Sequence, residues 1–115
     1  MPAQDPVIAT IDRAIALYEG DWRGDKQHGR GVWVGVSGDR YEGDWRDGKQ
    51  HGRGIKVWAS GGRYEGDWKD NKANGSGTLQ TRDGQSLIGN WTNGCFRKGE
   101  RRAWIGTSKE ACGYD

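Results

Sequence analysis

The sequence predicts an all-β fold: an elongated, single-layer, twisted antiparallel sheet, formed as a meander of β-hairpin repeats with about eight strands and capping termini. A pentapeptide containing tyrosine, glycine and tryptophan recurs every 23 residues. Its rings and glycines alternate with charged residues at the strand period of two. The 115 residues include seven Trp, four Tyr and 21 Gly but only 32% hydrophobic residues, too little aliphatic bulk for a two-layer core.

The N-terminal segment, residues 1–17, is expected to lead into the sheet or to cover its first edge. Its apolar stretch from Val7 to Leu17 suits a leading strand that pairs with the first repeat. A short helix is the alternative, because Ile8, Ile11 and Ile15 also share a helical face. The sequence leaves both open.

Three repeats follow, at residues 18–40, 41–63 and 64–86, and each carries two signatures in the same register. The first signature is Tyr18-Glu19-Gly20-Asp21-Trp22, Tyr41-Glu42-Gly43-Asp44-Trp45 and Tyr64-Glu65-Gly66-Asp67-Trp68. The second is His28-Gly29-Arg30-Gly31, His51-Gly52-Arg53-Gly54 and Asn74-Gly75-Ser76-Gly77. A recurrence this strict predicts one structural unit for each repeat.

Each unit is predicted to be one hairpin. Tyr41, Gly43 and Trp45 fall on one face of the first strand because side chains alternate along a strand. The second strand is expected to begin near Gly52, after a turn at Gly48. Glycines leave grooves into which cross-strand rings can lie, so glycine is part of the packing.

These residues resemble the MORN (membrane occupation and recognition nexus) repeat, in which Tyr-x-Gly-x-Trp is followed after about five residues by His-Gly-x-Gly. The match is close from Tyr18 to about Ser86 and loose from Leu87 to Gly99. Two departures are Gly24-Asp25, which inverts the usual turn order, and Asn74, which replaces the histidine.

The resemblance implies a scaffold or interaction role. Members of this family are described as membrane-associated, as self-associating, or as accessory regions beside a catalytic domain such as a lipid kinase or a lysine methyltransferase. Three functions therefore stand as expectations: a module that binds a protein segment or a second copy of itself, a peripheral module for anionic phospholipid, and an accessory region of a larger enzyme.

Residues 87–115 are expected to form a degenerate fourth repeat and a C-terminal cap. Leu87-Ile88-Gly89-Asn90-Trp91 keeps the first signature loosely, and the second is absent. The only cysteines, Cys95 and Cys112, lie here and are expected to form a disulfide. It would close a loop of about 17 residues and hold the tail across the sheet edge. That pairing favours an oxidising, extracytoplasmic setting, periplasmic or secreted, over a cytoplasmic and membrane-peripheral one.

The aromatic ladder is the candidate binding groove. Its packing role comes first, but an incompletely covered aromatic face is also an apolar patch of the kind that meets a partner. The groove candidates are Tyr18, Trp22, Tyr41, Trp45, Tyr64, Trp68 and Trp91.

One local basic cluster is a second candidate site, for an anionic lipid surface. It consists of Arg97, Lys98, Arg101 and Arg102, with Glu100 inside it. A solvated chain end is the competing interpretation. The formal net charge of the whole chain is only +2, which argues against nucleic acid as a partner.

We predict no catalytic site, cofactor or metal. No nucleophile elbow is present, and the only two histidines, His28 and His51, belong to the repeat. They are expected to be loop histidines that bond to backbone. The carboxylates of the repeats are expected to form solvated ion pairs with basic residues on the same face.

Overall fold

The computed structural model describes residues 7–11 and 14–114, with side chains from Leu17 onward, and its strands form two antiparallel sheets. The strands are β1 (Val7–Ile11), β2 (Ala14–Arg23), β3 (Lys26–Val34), β4 (Arg40–Arg46), β5 (Lys49–Val57), β6 (Gly62–Lys69), β7 (Lys72–Thr81), β8 (Ser86–Trp91), β9 (Cys95–Lys98) and β10 (Arg101–Trp104). The main sheet runs in chain order from β1 to β8, and β9 pairs with β10. The molecule is elongated, with extents of 52 × 26 × 23 Å. In the described ranges, no helix has the length and apolar character to span a membrane.

The lead-in is a strand, so the helical alternative for this segment is wrong. β1 pairs antiparallel with β2, with Val7 opposite Tyr18 and Ile11 opposite Ala14. The β-branched residues of β1 favour this conformation, and β2 offers an edge whose backbone groups need partners. Residues 1–6, 12 and 13 of the predicted lead-in lie outside the described residues.

Each of the three repeats is a hairpin closed by a two-residue turn. Asp47 and Gly48 both have positive φ, 50° and 83°, as a type I′ turn requires. In the first repeat only Gly24 has positive φ, so the turn there is of the II′ kind, which places glycine first. The inverted order Gly24-Asp25 therefore gives a different turn type, which is also compatible with the right-handed twist of the strands.

Successive hairpins are joined by three-residue loops. The amide of Gly35 donates to the carbonyl of Asp39 at 2.8 Å, and Gly38 takes the left-handed conformation with φ of 96°. The segments 58–62 and 81–85 repeat this bonding pattern. Each loop is a tight turn followed by an obligatory glycine, which fixes the spacing between units.

A β-bulge, which the sequence pattern did not predict, interrupts the hairpin of each of the three repeats. In the second repeat the register shifts between Gly43 and Trp45, so that residues 51–53 of β5 lie opposite Asp44 alone. An Asp44 carboxylate oxygen accepts the Arg53 amide at 3.0 Å, which satisfies backbone that the ladder leaves unpaired. The second strand begins at Lys49, earlier than expected, because the bulge accommodates the extra residues.

A continuous row of glycines crosses seven strands, and the tyrosine rings lie on it. Paired in register, the row is Gly20, Gly31, Gly43, Gly54, Gly66, Gly77 and Gly89. A Cβ atom placed on Gly54 would lie 2.2 Å from the Tyr41 hydroxyl oxygen and 2.4 Å from its Cζ. Only bare backbone leaves room for the ring, and we call this side of the sheet the ring face.

The fourth repeat contributes one strand to the main sheet instead of a full hairpin. The expected count of about eight strands is reached, but its eighth member is β1. Without the second glycine signature, β9 leaves the main sheet and pairs with β10. The Phe96 ring contacts Gly89 and Trp91, where the next tyrosine ring would otherwise lie. Phe96 is 2% exposed and ends the ladder.

The C-terminal tail folds back on the ring face and is held by the expected disulfide. Cys95 and Cys112 are bonded, with their Cα atoms 5.7 Å apart. The Ile105 amide donates to the Gly94 carbonyl at 2.8 Å, and the Tyr114 hydroxyl donates to the Phe96 carbonyl at 2.9 Å. The tail thereby covers the last repeat.

Replacing Gly54 with alanine tests the dependence on bare backbone. We expect Gly54→Ala to lower the free energy of unfolding by about 3 kcal/mol, because the new methyl group and the Tyr41 ring cannot occupy the same space. Urea unfolding followed by tryptophan fluorescence measures it. Gly99→Asn is the control, since nothing lies within 4 Å of that site and asparagine tolerates its φ of 65°. A Gly54→Ala chain as stable as the control would contradict the packing model.

Candidate functional site

The predicted groove residues form a ladder of edge-to-face rings. Tyr41 packs at 5.1 Å from Trp45 in its own repeat and at 5.4 Å from Trp68 in the next, both nearly perpendicular. Its hydroxyl donates to the Asp44 carbonyl at 2.8 Å, and the Trp45 indole N–H donates to the Gly31 carbonyl at 3.2 Å. Both rings thus bury an apolar body and satisfy their polar end.

Most of this ladder is closed to a ligand. Exposures are 3% for Tyr18, 0% for Tyr41 and Tyr64, 7% for Trp45, 3% for Trp68 and 2% for Trp91. Trp22 differs at 40%, and among the described residues its only ring partner is Tyr18. Six of the seven predicted groove residues therefore serve packing, and the exposed aromatic surface lies elsewhere.

Burial shifts the titration of the ladder tyrosines. Burial raises the pKa of Tyr64 to about 12. The negative charge of Asp67 also raises this pKa, and the Arg53 guanidinium lowers it. Burial likewise raises the pKa of Tyr41, with Asp44 contributing. A phenolate at these positions would lose hydration without gaining a compensating donor.

An open cleft lies beside the ladder, between the sheet and the folded-back tail. Lys56 and Leu79 line it from the sheet, Trp58 from the loop after β5, and Trp104 and Ile105 from the tail. Its volume is about 340 Å³, at the lower end for sites that hold a small molecule or one or two side chains. Trp104 is 42% exposed. We call this site the ring cleft.

Lys56 places a positive charge inside this aromatic surface. Its ammonium nitrogen lies 5.9 Å from the centroid of Trp33 and 5.7 Å from that of Trp58, within the range of cation–π attraction. Burial lowers the pKa of Lys56, and Asp39 opposes that shift. None of the ion pairs within residues 17–114 includes Lys56. The carboxylate of Asp39 accepts the amide of Ala59 at 2.8 Å.

The sequence contained a signal for the ring cleft that the repeat pattern hid. At the Lys56 position the neighbouring repeats carry Trp33 and Leu79, and at the Trp58 position they carry Gly35 and Thr81. Strictly recurring residues serve packing, so residues that break the recurrence are the better candidates for function. Trp104 lies outside the three full repeats, so its place in the cleft could be found only from the fold of the tail.

The opposite side of the sheet, the polar face, carries a lattice of ion pairs. Arg30 reaches Asp44 in the next repeat at 3.0 Å, and Arg53 reaches Asp67 at the same distance. The glutamates pair along their own strands instead, as Arg40 does with Glu42 at 2.9 Å. Solvated ion pairs were expected, but Arg40 and Arg63, which precede the tyrosines of the second and third repeats, were not among the partners predicted from the sequence.

The histidines lie within strands β3 and β5, not in loops. His28 Nδ1 accepts the Asp47 amide at a long 3.5 Å, so it bonds to the turn of the following repeat. Asn74 takes the same role with the Asn93 amide at 2.8 Å, which explains how asparagine replaces histidine. His51 Nδ1 is buried without a partner. Within the described ranges, no three His, Cys, Asp or Glu side chains converge as metal ligands would.

Two of the four residues in the predicted basic cluster contact the last strand of the main sheet. The Lys98 ammonium donates to the Ile88 carbonyl at 3.5 Å, and Arg101 donates to the Ser86 carbonyl at 3.4 Å. The Arg102 guanidinium lies 5.5 Å from the Tyr114 ring, and Arg97 is exposed. Lys98 and Arg101 thus cover backbone acceptors that an edge strand leaves open.

A larger basic strip, the turn edge, runs along the two-residue turns. Each turn is flanked by a directly opposed pair of cations: Arg23 with Lys26, Arg46 with Lys49, and Lys69 with Lys72. Like charges opposite one another destabilise a hairpin, and none of these six belongs to an ion pair in the part of the chain that is described. Asp25, Asp47 and Asp70 in the turns offset half of the charge.

One known family matches three consecutive segments of this chain. A family model described as MORN repeat matches residues 18–40, 41–63 and 64–86. Among curated proteins, none matches this chain.

The tyrosine titrations predict a loss of stability at high pH. A group whose pKa is higher in the folded chain contributes stability that is complete below its unfolded pKa, near 10, and is lost as the pH rises toward its folded pKa, about 12 for Tyr64. We therefore expect the free energy of unfolding to fall from pH 10 to about 12, and to fall less in Tyr64→Phe.

Urea unfolding across that pH range measures both chains. Lysine titrations are common to both and cancel in the difference. An identical pH dependence in the two chains would contradict the role assigned to burial of the Tyr64 hydroxyl.

Proposed function

Because the chain belongs to the MORN repeat family, we propose that it is a non-catalytic scaffold module that binds an extended segment of a partner protein in the ring cleft. The observation that carries this is an open aromatic cleft beside a ladder that is otherwise closed. Exposed rings grouped around a concavity are typical of binding surfaces. A second copy of the chain is the competing occupant.

The shape of the cleft supports a peptide rather than a flat surface. Trp58 and Trp104 both line the cleft, and Leu79 and Ile105 add apolar surface to the same lining. A volume of about 340 Å³ matches one or two inserted side chains, and the cleft is open to solvent, so the rest of a bound segment could lie outside it. Indole groups are enriched at such anchoring positions.

The non-catalytic part of the proposal rests on how the polar groups are used. The recurring carboxylates of the polar face accept backbone amides and arginine, as Asp44 does from Arg53 and Arg30. The histidine of the first repeat bonds to the next turn through Nδ1. These contacts support a folding role for the acids and bases of the repeat.

A second candidate function is attachment to an anionic lipid surface through the turn edge. Six cations in three opposed pairs along one edge attract a negatively charged membrane, at about 1 kcal/mol for each basic residue near the surface. The strip is longer than the predicted cluster at residues 97–102, of which Lys98 and Arg101 already contact β8.

We further propose an oxidising, extracytoplasmic location, periplasmic or secreted. The disulfide between Cys95 and Cys112 supports it, because such bonds persist in oxidising compartments. There, the bond stabilises the tail that forms one wall of the ring cleft.

Peptide binding at the ring cleft is tested by selecting binders from a random peptide display library. We expect Trp104→Ala to raise the Kd of the selected peptides at least about tenfold, equivalent to about 1.4 kcal/mol, because a wall of the cleft is lost. Trp22→Ala is the matched control, since Trp22 is equally exposed but distant in the array.

Two results would oppose this proposal. Selected peptides that bind the Trp104→Ala chain as tightly as the wild type would place binding elsewhere. A molar mass that rises with concentration in light scattering, and is lost in Trp104→Ala, would make a second copy the occupant.

Lipid attachment is tested by sedimentation with vesicles of phosphatidylserine and phosphatidylcholine. We expect the chain to sediment with the vesicles at low salt, where the attraction between its cations and the anionic lipid is least screened. The triple substitution Lys26→Gln, Lys49→Gln and Lys72→Gln removes three of these cations and is expected to abolish sedimentation. The control is Arg97→Gln with Arg102→Gln. Failure of the wild-type chain to sediment would reject the lipid function.

A further inference from the structure

The ring cleft contains two residues that depart from the repeat, and they lie together. In the other two full repeats the Lys56 position is apolar, as Trp33 and Leu79 show, and the Trp58 position is not aromatic. The repeat therefore folds with leucine or tryptophan at the first position and with glycine or threonine at the second. Folding alone does not explain this cation and this ring in the middle unit.

Lys56 forms no ion pair with any carboxylate in the described part of the chain. No carboxylate in the described chain lies within 4.0 Å of its ammonium group. Asp39, which accepts the amide of Ala59, acts on this charge only from a greater distance. The indole rings of Trp33 and Trp58 stabilise the positive charge in part, but they carry no negative charge that would neutralise it. A half-buried ammonium in this setting attracts an anion.

We propose that the ring cleft recognises a carboxylate carried on an apolar body, presented by an acidic residue beside an aliphatic or aromatic residue in the partner's segment. Lys56 receives the carboxylate, and Trp58, Leu79 and Trp104 receive the neighbouring side chain. This inference rests on the proposed peptide-binding function and adds its chemical specificity.

The lining of the cleft has a charged part and an apolar part, as this ligand requires. The charge lies at the sheet, while Trp104 and Ile105 supply apolar surface from the tail. The exposed cations of the turn edge belong to other strand ends, at the two-residue turns, so Lys56 is the basic group that lines this cleft together with Arg82 of the adjoining loop. An anion that enters this cleft therefore meets Lys56 among its lining residues.

The test compares two end-blocked peptides, acetyl-Ser-Leu-Glu-Phe-Ser-amide and the same peptide with glutamine in place of glutamate. Binding is followed by NMR through the indole N–H signals of Trp58 and Trp104. We expect the glutamate peptide to shift both signals and the glutamine peptide to bind at least about tenfold more weakly, as expected for loss of a charge-assisted contact.

The variant Lys56→Leu introduces the residue that the next repeat already carries as Leu79, so the chain is expected to fold. In this variant the two peptides should bind with equal affinity. Circular dichroism and the signals of the buried Trp45 and Trp68 report whether the fold is kept. Arg82→Gln is the companion variant, in which the preference for glutamate should remain.

Each other outcome decides against a stated part. Equal binding of both peptides to the wild type would overturn the charge recognition and leave the proposed function standing. A glutamate preference that survives in Lys56→Leu would overturn the role of Lys56. If neither peptide shifts Trp58 or Trp104, the inference fails, and peptide display then judges the proposed function separately. Phenylacetate that binds as tightly as the glutamate peptide would overturn a peptide ligand in favour of a small carboxylate.

Discussion

The contact between a tyrosine ring and bare glycine backbone determines the rest of this structure. Because Tyr41 lies across Gly54, its hydroxyl reaches the Asp44 carbonyl, and its edge meets the tryptophans of two repeats. A single-layer sheet has no second layer to cover its apolar face. Here the rings lie down on the sheet and cover it themselves, so the core is one ring thick.

The bulge follows from the same arrangement. The ladder leaves amides unpaired where residues 51–53 face Asp44, and the Asp44 side chain accepts one of them. The same carboxylate receives Arg30 from the preceding unit. One aspartate thus joins the two strands of its own hairpin and connects neighbouring hairpins on the polar face, while Tyr41 does so on the ring face. The two sides of the sheet enforce the same register.

The fold was predictable because its information is local and repeated. A spacing of 23 residues, alternation at period two and turn glycines such as Gly48 determine hairpins, their order and the covered face. The bulge was not predictable, because alternation through Asp44 looks unbroken from Tyr41 to Arg46. The cap was predictable as a location and as a disulfide, but Phe96 as the last ring of the ladder depends on where β9 leaves the sheet.

The candidate site was less predictable for a physical reason. The recurring rings form the packed core, so Trp45 and Trp68 are buried. Trp104 lies outside the three full repeats and is exposed. Lys56 gave a signal only by contrast with Leu79 one unit later. In a repeat protein the pattern identifies the framework, and the exceptions to the pattern identify where the framework is used.

The turns of successive hairpins are also bonded to one another, as when the Gly48 amide donates to the Gln27 carbonyl at 2.9 Å and the Asn71 amide to the Gln50 carbonyl at 3.1 Å. Each bond connects only adjacent units and has the same direction. A gene duplication that inserted one whole unit ahead of residue 64 would therefore preserve every junction and leave both ends untouched. Molecular length in such an array can change in steps of two strands, about 10 Å, without redesign of the interior.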